Sequence, residues 1–189
     1  MSASVLTEGN FDGMLLATLL ADEEKRDGIE IGVVSGLSSG YSFARTMLAV
    51  KRIPVAVVID ADSPEQEVAS ERQRSAEEVL GDAASGVPFR VIVAVPELEI
   101  LFFKRPQLLK KVYGKSVTAL VTELGQVSPR RALQKLDPDL SYEHLRFKIL
   151  RAMDEADIKA LRATALIKEL LSFLREAVEY SKRSAVSRV

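Results

Sequence analysis

Cysteine is missing from the 189 residues, and histidine occurs once, as His144. The first absence excludes a disulfide framework, a thiolate zinc site and a cysteine nucleophile. The second argues against a serine–histidine triad. His144 lies in the helical stretch 142–147 and reads as a surface or packing residue. No apolar run approaches membrane-spanning length. The opening MSASVLTEGN lacks the basic-then-apolar layout of a secretory leader. A cytoplasmic protein without membrane attachment is the expectation. A P-loop is missing too. Gly114-Lys115-Ser116 looks like the end of one, but the required earlier glycine falls on Leu109, and a helix-like stretch precedes it instead of a strand.

What the chain does have is apolar content of 47%, enough for a sizeable core, and a lopsided charge. Residues 1–103 carry 8 Lys and Arg against 17 Asp and Glu, a net of −9, and residues 104–189 carry 18 against 10, a net of +8. An acidic half followed by a basic half points to a polyanion such as nucleic acid, or simply to long helices with solvated lysines and arginines.

The first half alternates strand-like and helix-like segments. Residues 3–7 form a short strand ending at Glu8-Gly9. Phe11, Leu15, Leu16, Leu19 and Leu20 then recur at helical spacing to about Glu24, with Asn10 as the expected N-cap. Residues 29–34 read as a second strand and 35–40 as a loop. A helix to about Ala49 follows, with Phe43, Met47 and Leu48 facing inward. The run 54–59 is continuously apolar and mostly β-branched, which marks a strand buried on both faces of a parallel sheet. It stops at Asp60-Ala61-Asp62-Ser63-Pro64. A helix over 65–80 and a strand over 89–95 complete a βαβαβαβ pattern. After Glu97 the segments 97–104, 106–113, 116–125, 129–136, 141–153 and 155–182 all look helical. Ser128 is placed as an N-cap before Pro129. Leu161, Leu166, Leu170, Leu171, Leu174 and Val178 form an apolar stripe that either packs on the sheet or pairs with another copy. The tail 181–189 is expected to fray.

Open parallel sheets bind ligands beyond the carboxyl ends of their strands. Glu8 ends the first strand, Asp60 and Asp62 end the third, and Glu97 and Glu99 follow the fourth. Carboxylates converging on one sheet edge repel one another unless cations are present, and oxygen donors of this kind suit Mg²⁺ or Mn²⁺. Residues two apart in an extended chain project to the same side, so Asp60 and Asp62 are expected to reach one ion or two adjacent ions. The plainer alternative is that Asp62 or Ser63 caps the next helix. Gly36 and Gly40 either admit a phosphate to a helix start or only make a turn.

Strand–Glu8-Gly9-x-x-Asp12–helix, then strand–Asp60-Ala61-Asp62 about fifty residues on, resembles the Toprim domain over residues 3–104. That domain is shared by topoisomerases, bacterial primases, recombination mediators and overcoming-lysogenization-defect (OLD) nucleases. Pro96-Glu97-Leu98-Glu99-Ile100-Leu101 resembles the further acidic motif of the nuclease branch. The resemblance implies a Toprim- or Rossmann-like four-stranded parallel sheet flanked by helices over 1–104, followed by an all-helical region over 105–189 packed on or beside it. It implies Glu8 as acid–base group or metal ligand, Asp60 and Asp62 as catalytic metal ligands, and Glu99 as a further ligand with Glu97 as second choice. Asp12 takes a supporting role, and Gly9 allows a tight turn and close backbone approach. The implied activity is Mg²⁺- or Mn²⁺-dependent hydrolysis of a nucleic-acid phosphodiester, DNA before RNA.

Lys104, Arg105, Lys110, Lys111, Lys115, Arg130 and Arg131 form the densest basic stretch after the sheet, or simply a solvated helix face, and the first four are the expected phosphate contacts. Phe102-Phe103 reads as core. The resemblance also implies a separate ATPase chain as partner, because no ATPase motif is visible, and a homodimer stays open. Two rival readings remain. One is a non-catalytic Toprim-like subunit that binds metal or a partner. The other is a response-regulator-like or phosphatase-like domain with Asp60 as nucleophile, which the Glu8-Gly9 start and the late Glu97/Glu99 pair fit poorly.

Overall fold

A computed structural model describes residues 1–186. Strands β1 (Ala3–Thr7), β2 (Ile29–Val33), β3 (Val55–Asp60) and β4 (Phe89–Ala94) form one fully parallel sheet in the order β2-β1-β3-β4. Between them come α1 (Asn10–Leu19), α2 (Ala21–Asp27), α3 (Leu37–Thr46) with a π-helical turn at Met47–Lys51, and α4 (Gln66–Ala84). After β4 the chain is helical: α5 (Ile100–Phe103), α6 (Pro106–Tyr113), a 3₁₀ turn at Gly114–Ser116, α7 (Ala119–Val127), α8 (Pro129–Leu136), α9 (Tyr142–Ala152), α10 (Glu155–Arg162) and α11 (Ala165–Val186).

Strand alternation builds two cores. Leu6, Val55, Val57, Ile59 and Val91 face Ala44, Met47 and Leu48 at the end of α3 and Ala76, Leu80 and Ala84 of α4. Ala3, Val5, Ala56, Val58, Ile92 and Ala94 face the other way. They pack into one apolar cluster with Phe11, Leu15, Leu16 and Leu19 of α1, and with Leu133, Leu145, Ile149, Leu170, Phe173 and Ala177 of the later helices. The second core thus runs straight across residue 104. The stripe on α11 packs on the chain's own sheet, against β1, β3 and β4. A buried ion pair adds to the same junction: Arg162 grips Glu23 through two hydrogen bonds of 2.9 and 2.7 Å and also donates to the Leu19 carbonyl.

Several local expectations need correction. The first helix breaks at Leu20, and α2 ends where Gly28 takes a left-handed φ of 65°. Gly9 occupies the N-cap of α1, not Asn10, and Ser128 makes no capping hydrogen bond. Glu65, not Asp62 or Ser63, is the N-cap of α4. Phe43 lies on the outer side of α3 and is 44% exposed, since Ala44, Met47 and Leu48 already fill the inner face. The last helical stretch is two helices, with Leu161 on the first of them. Residues 181–186 continue α11, and 187–189 lie outside the described residues. Phe102 and Phe103 are fully buried core residues.

Candidate metal and phosphodiester site

β1 connects to β2 on one side, and the chain then crosses back to place β3 on the other side of β1. The carboxyl ends of β1 and β3 therefore flank the point where strand order reverses, the usual ligand crevice of such sheets. Glu8 follows β1 there, and Asp60 is the last residue of β3. In register, Asp60 sits opposite Ala94 of β4, so Glu97 and Glu99 emerge beside it. The loop is laced in place by backbone bonds: Ala61 donates to Ala94 and Asp62 to Pro96, and the Leu98 N–H donates to Asp60 Oδ1 at 2.9 Å.

The electrostatics show that these groups share one environment. Burial, then the charges of Asp12 and Glu99, push the Asp60 carboxyl up to about 8. Burial and Glu99 likewise raise Asp12 to about 6, against the pull of Arg146. Glu8 is raised by burial and by Asp62, and Glu97 by burial and Glu99. Glu8, Asp12, Asp60, Asp62, Glu97 and Glu99 are thus brought into one field.

They are not equally available. Asp62 has a left-handed φ of 53°, so the extended chain assumed for Asp-x-Asp ends at Asp60, and the pair does not project together by strand alternation. Arg72 of α4 instead donates to the Asp62 carboxylate at 2.8 Å and to the Asp60 carbonyl at 2.9 Å. Glu97 Oε1 accepts the backbone N–H of Arg130 at 2.8 Å. Glu99 is 2% exposed and accepts from Arg146 at 2.8 Å. Gly9 has an ordinary extended backbone (φ −103°), so no tight turn demands glycine there. What matters is space, because a Cβ at Gly9 would lie 2.5 Å from Asp12 Oδ2.

As a donor set, these oxygens suit a hard divalent cation, which would relieve the repulsion that raises Asp60 and Asp12. Among the described residues, however, no three carboxylates already converge around a single point. Asp60 and Asp62 are held by the Leu98 N–H and by Arg72, so closing them around one ion would require those contacts to rearrange.

The basic residues divide. Lys104 is bonded to Gln126 at 2.7 Å, Arg105 to Asp157 at 3.0 Å, and Lys111 to Asp154 and Asp157 at 2.7 and 2.8 Å. Lys110 is exposed on the same helix. Sequence reasoning missed the cations that do reach the acidic edge, Arg72 and Arg146. Arg146 sits 4.5 Å from the ring centres of both Phe11 and Tyr142 while it holds Glu99. The i,i+4 spacing of Tyr142 and Arg146 put both on one face of α9. Nothing in that spacing said that the face meets the strand ends. His144 is exposed, with Nδ1 2.7 Å from Ser141 Oγ.

The fold and the acidic crevice together define a parallel α/β domain completed by a helical half. The same fold occurs in the C-terminal region of the OLD protein of Xanthomonas campestris pv. campestris. Two structures of that region, phased with iodine and with platinum, each superpose with a TM-score of 0.58, at 14% and 13% identity. The first alignment covers 96% of this chain and 98% of the other, the second 97% of both. No protein-family model matches the sequence, and no curated protein matches it. Among the described residues no helix is long and apolar enough to cross a membrane.

Proposed function

We propose that the chain is a Mg²⁺- or Mn²⁺-dependent phosphodiesterase acting on nucleic acid, in the manner of OLD-type Toprim nucleases. The supporting observation is the placement of Glu8, Asp60 and Asp62, with Asp12, Glu97 and Glu99 in the same field, along the strand ends at the switch point of the sheet. Bound divalent metal would supply charge neutralisation at the phosphoryl oxygens and an activated water. The chain's own groups have distinct tasks. Asp60, with one oxygen accepting the Leu98 N–H, would hold the metal through the other. Glu8, half-exposed and with its carboxyl raised, holds or passes a proton at the reacting oxygen. Asp62 joins Asp60 once it turns from Arg72, which keeps the loop in shape through the Asp60 carbonyl. Glu99, bound to Arg146, and Asp12 shape the field from behind.

A cleavage assay on single- and double-stranded DNA and RNA with EDTA, Mg²⁺ or Mn²⁺ tests this reading. Metal-dependent cutting that Asp60→Ala and Glu8→Ala abolish supports it; the absence of cutting under every condition defeats it. A second reading has one observation in its favour, the hold of Arg146 on Glu99. On that reading the chain is a non-catalytic subunit for a separate ATPase chain, and the assay becomes stoichiometric association with that partner.

A further inference from the structure

A cleft of about 520 Å³ adjoins the acidic centre on its helical side, lined by Asn10, Phe11, Arg130, Tyr142, Glu143 and Arg146 among others. Its wall is joined to that centre at two points: the Arg130 N–H bonds Glu97, and the Arg146 guanidinium bonds Glu99. Above it the exposed Arg130 guanidinium lies 4.7 Å from the Tyr142 ring centre. That guanidinium has no hydrogen bond or ion pair among the described residues, and its face rests on the ring with its five donors unmatched. Of the four phosphate contacts expected from the sequence, Lys104, Arg105 and Lys111 already donate to Gln126, Asp157 and Asp154.

A second observation falls in the same place. Among the described residues Arg146 Nε is a buried polar atom without a hydrogen-bond partner, and Arg146 lines this cleft, whereas the buried Tyr142 hydroxyl beside it is hydrogen-bonded to the Glu99 carboxylate. Native structures leave few such groups, and each calls for an explanation. An Nε–H can only donate, so what Arg146 lacks there is an acceptor.

We infer that this cleft is the phosphate-backbone subsite of the proposed nuclease, with Arg130 gripping a phosphodiester next to the one presented to Asp60. The inference rests on the nuclease reading and deepens it. A carboxylate centre repels a polyanion, so a substrate phosphate needs a fixed cation beside it to approach. Arg130 is that cation, and the planar fork of its guanidinium matches two phosphate oxygens. Glu143, the opposing charge on the rim, is exposed, so the approach is open to the single negative charge of a backbone phosphate.

The test is binding of a short fluorescein-labelled DNA oligonucleotide, single-stranded and duplex, followed by anisotropy in EDTA across a salt series. Arg130→Gln should weaken binding about three- to tenfold and flatten the salt dependence by about one phosphate contact. Arg130→Lys should fall between the two. Lys110→Gln/Lys111→Gln should bind like wild type, and melting curves should confirm that every variant is folded. Wild-type affinity in Arg130→Gln, with wild type binding DNA, overturns the subsite and leaves the nuclease reading standing. An equal loss in the Lys110/Lys111 variant also overturns it, because the backbone would then run over α6. Failure of wild type to bind either DNA form overturns the subsite, and the nuclease reading then stands or falls by the cleavage assay.

Discussion

Replacing Asp60 by asparagine should make the metal-free protein more stable, and only above mildly acidic pH. The carboxyl is raised from 3.8 to about 8 in the folded chain, by burial first and by Asp12 and Glu99 next. The folded state therefore keeps a proton that the unfolded state has released. The associated stability is fully present below the unfolded value near 3.8 and is lost as pH climbs through about 8. At about 1.4 kcal/mol per pH unit the whole shift sets a ceiling of about 6 kcal/mol. Water and side-chain relaxation around a half-buried group bring the expected loss between about pH 5 and pH 9 down to about 2 kcal/mol. Asparagine has nearly the same shape, and its Oδ1 can still accept the Leu98 N–H, so the substitution removes the charge with little else. In EDTA, wild type and Asp60→Asn should melt together near pH 5. By about pH 9 the variant should melt roughly 4–8 °C higher. A constant gap at all pH values, or a variant less stable at high pH, would refute the claim that like charge and burial at the strand ends govern this residue.

Divalent metal should replace that effect in the wild type: at about a hundredfold excess over its Kd, Mn²⁺ at pH 8 should add about 2.7 kcal/mol in thermal melts, and Asp60→Asn should abolish the gain. Arg146→Ala leaves Glu99 buried and uncompensated and should cost about 3–5 kcal/mol in urea unfolding, whereas Arg146→Ala with Glu99→Gln should recover much of it. A Cβ at Gly125 would fall within the ring of Phe103, so Gly125→Ala should destabilise by about 1–3 kcal/mol in the same assay by prying α7 from α5. Gly9→Ala should instead displace the flexible end of Asp12, lowering metal-dependent cleavage with a melting temperature close to wild type.

The sheet was legible because its signals are local. A β-branched run such as 55–59, alternation in 3–7 and stop residues at Glu8-Gly9 and Asp60 are set by the strands' own surroundings. The acidic edge followed from those strand ends, since topology puts them at one rim. What stayed hidden depends on contacts between distant segments. The left-handed turn at Asp62 is held by Arg72 ten residues away, and Glu99 meets Arg146 forty-seven residues later. The break at Leu20 was equally invisible, because Leu20 fits the helical spacing and is fully buried on either side of the kink.

The uneven charge is where sequence and structure part most instructively. Composition suggested that the basic half awaits an external polyanion. Much of it in fact answers the chain itself: Arg146 goes to Glu99, Arg162 to Glu23, and Arg105 and Lys111 to Asp157. These pairs bind the helical half to the sheet and within itself. The two halves are therefore interdependent, and the helices cannot be removed without stranding buried acids such as Glu99 at the strand ends. The same logic tells a polyanion-binding arginine from a structural one. Local density of basic residues does not separate them, since one stretch holds Lys104, Arg105 and Lys111, all engaged, together with Arg130. The informative feature is a guanidinium set against a ring beside the acidic edge with its donors unmatched, and Arg130 over Tyr142 meets that description.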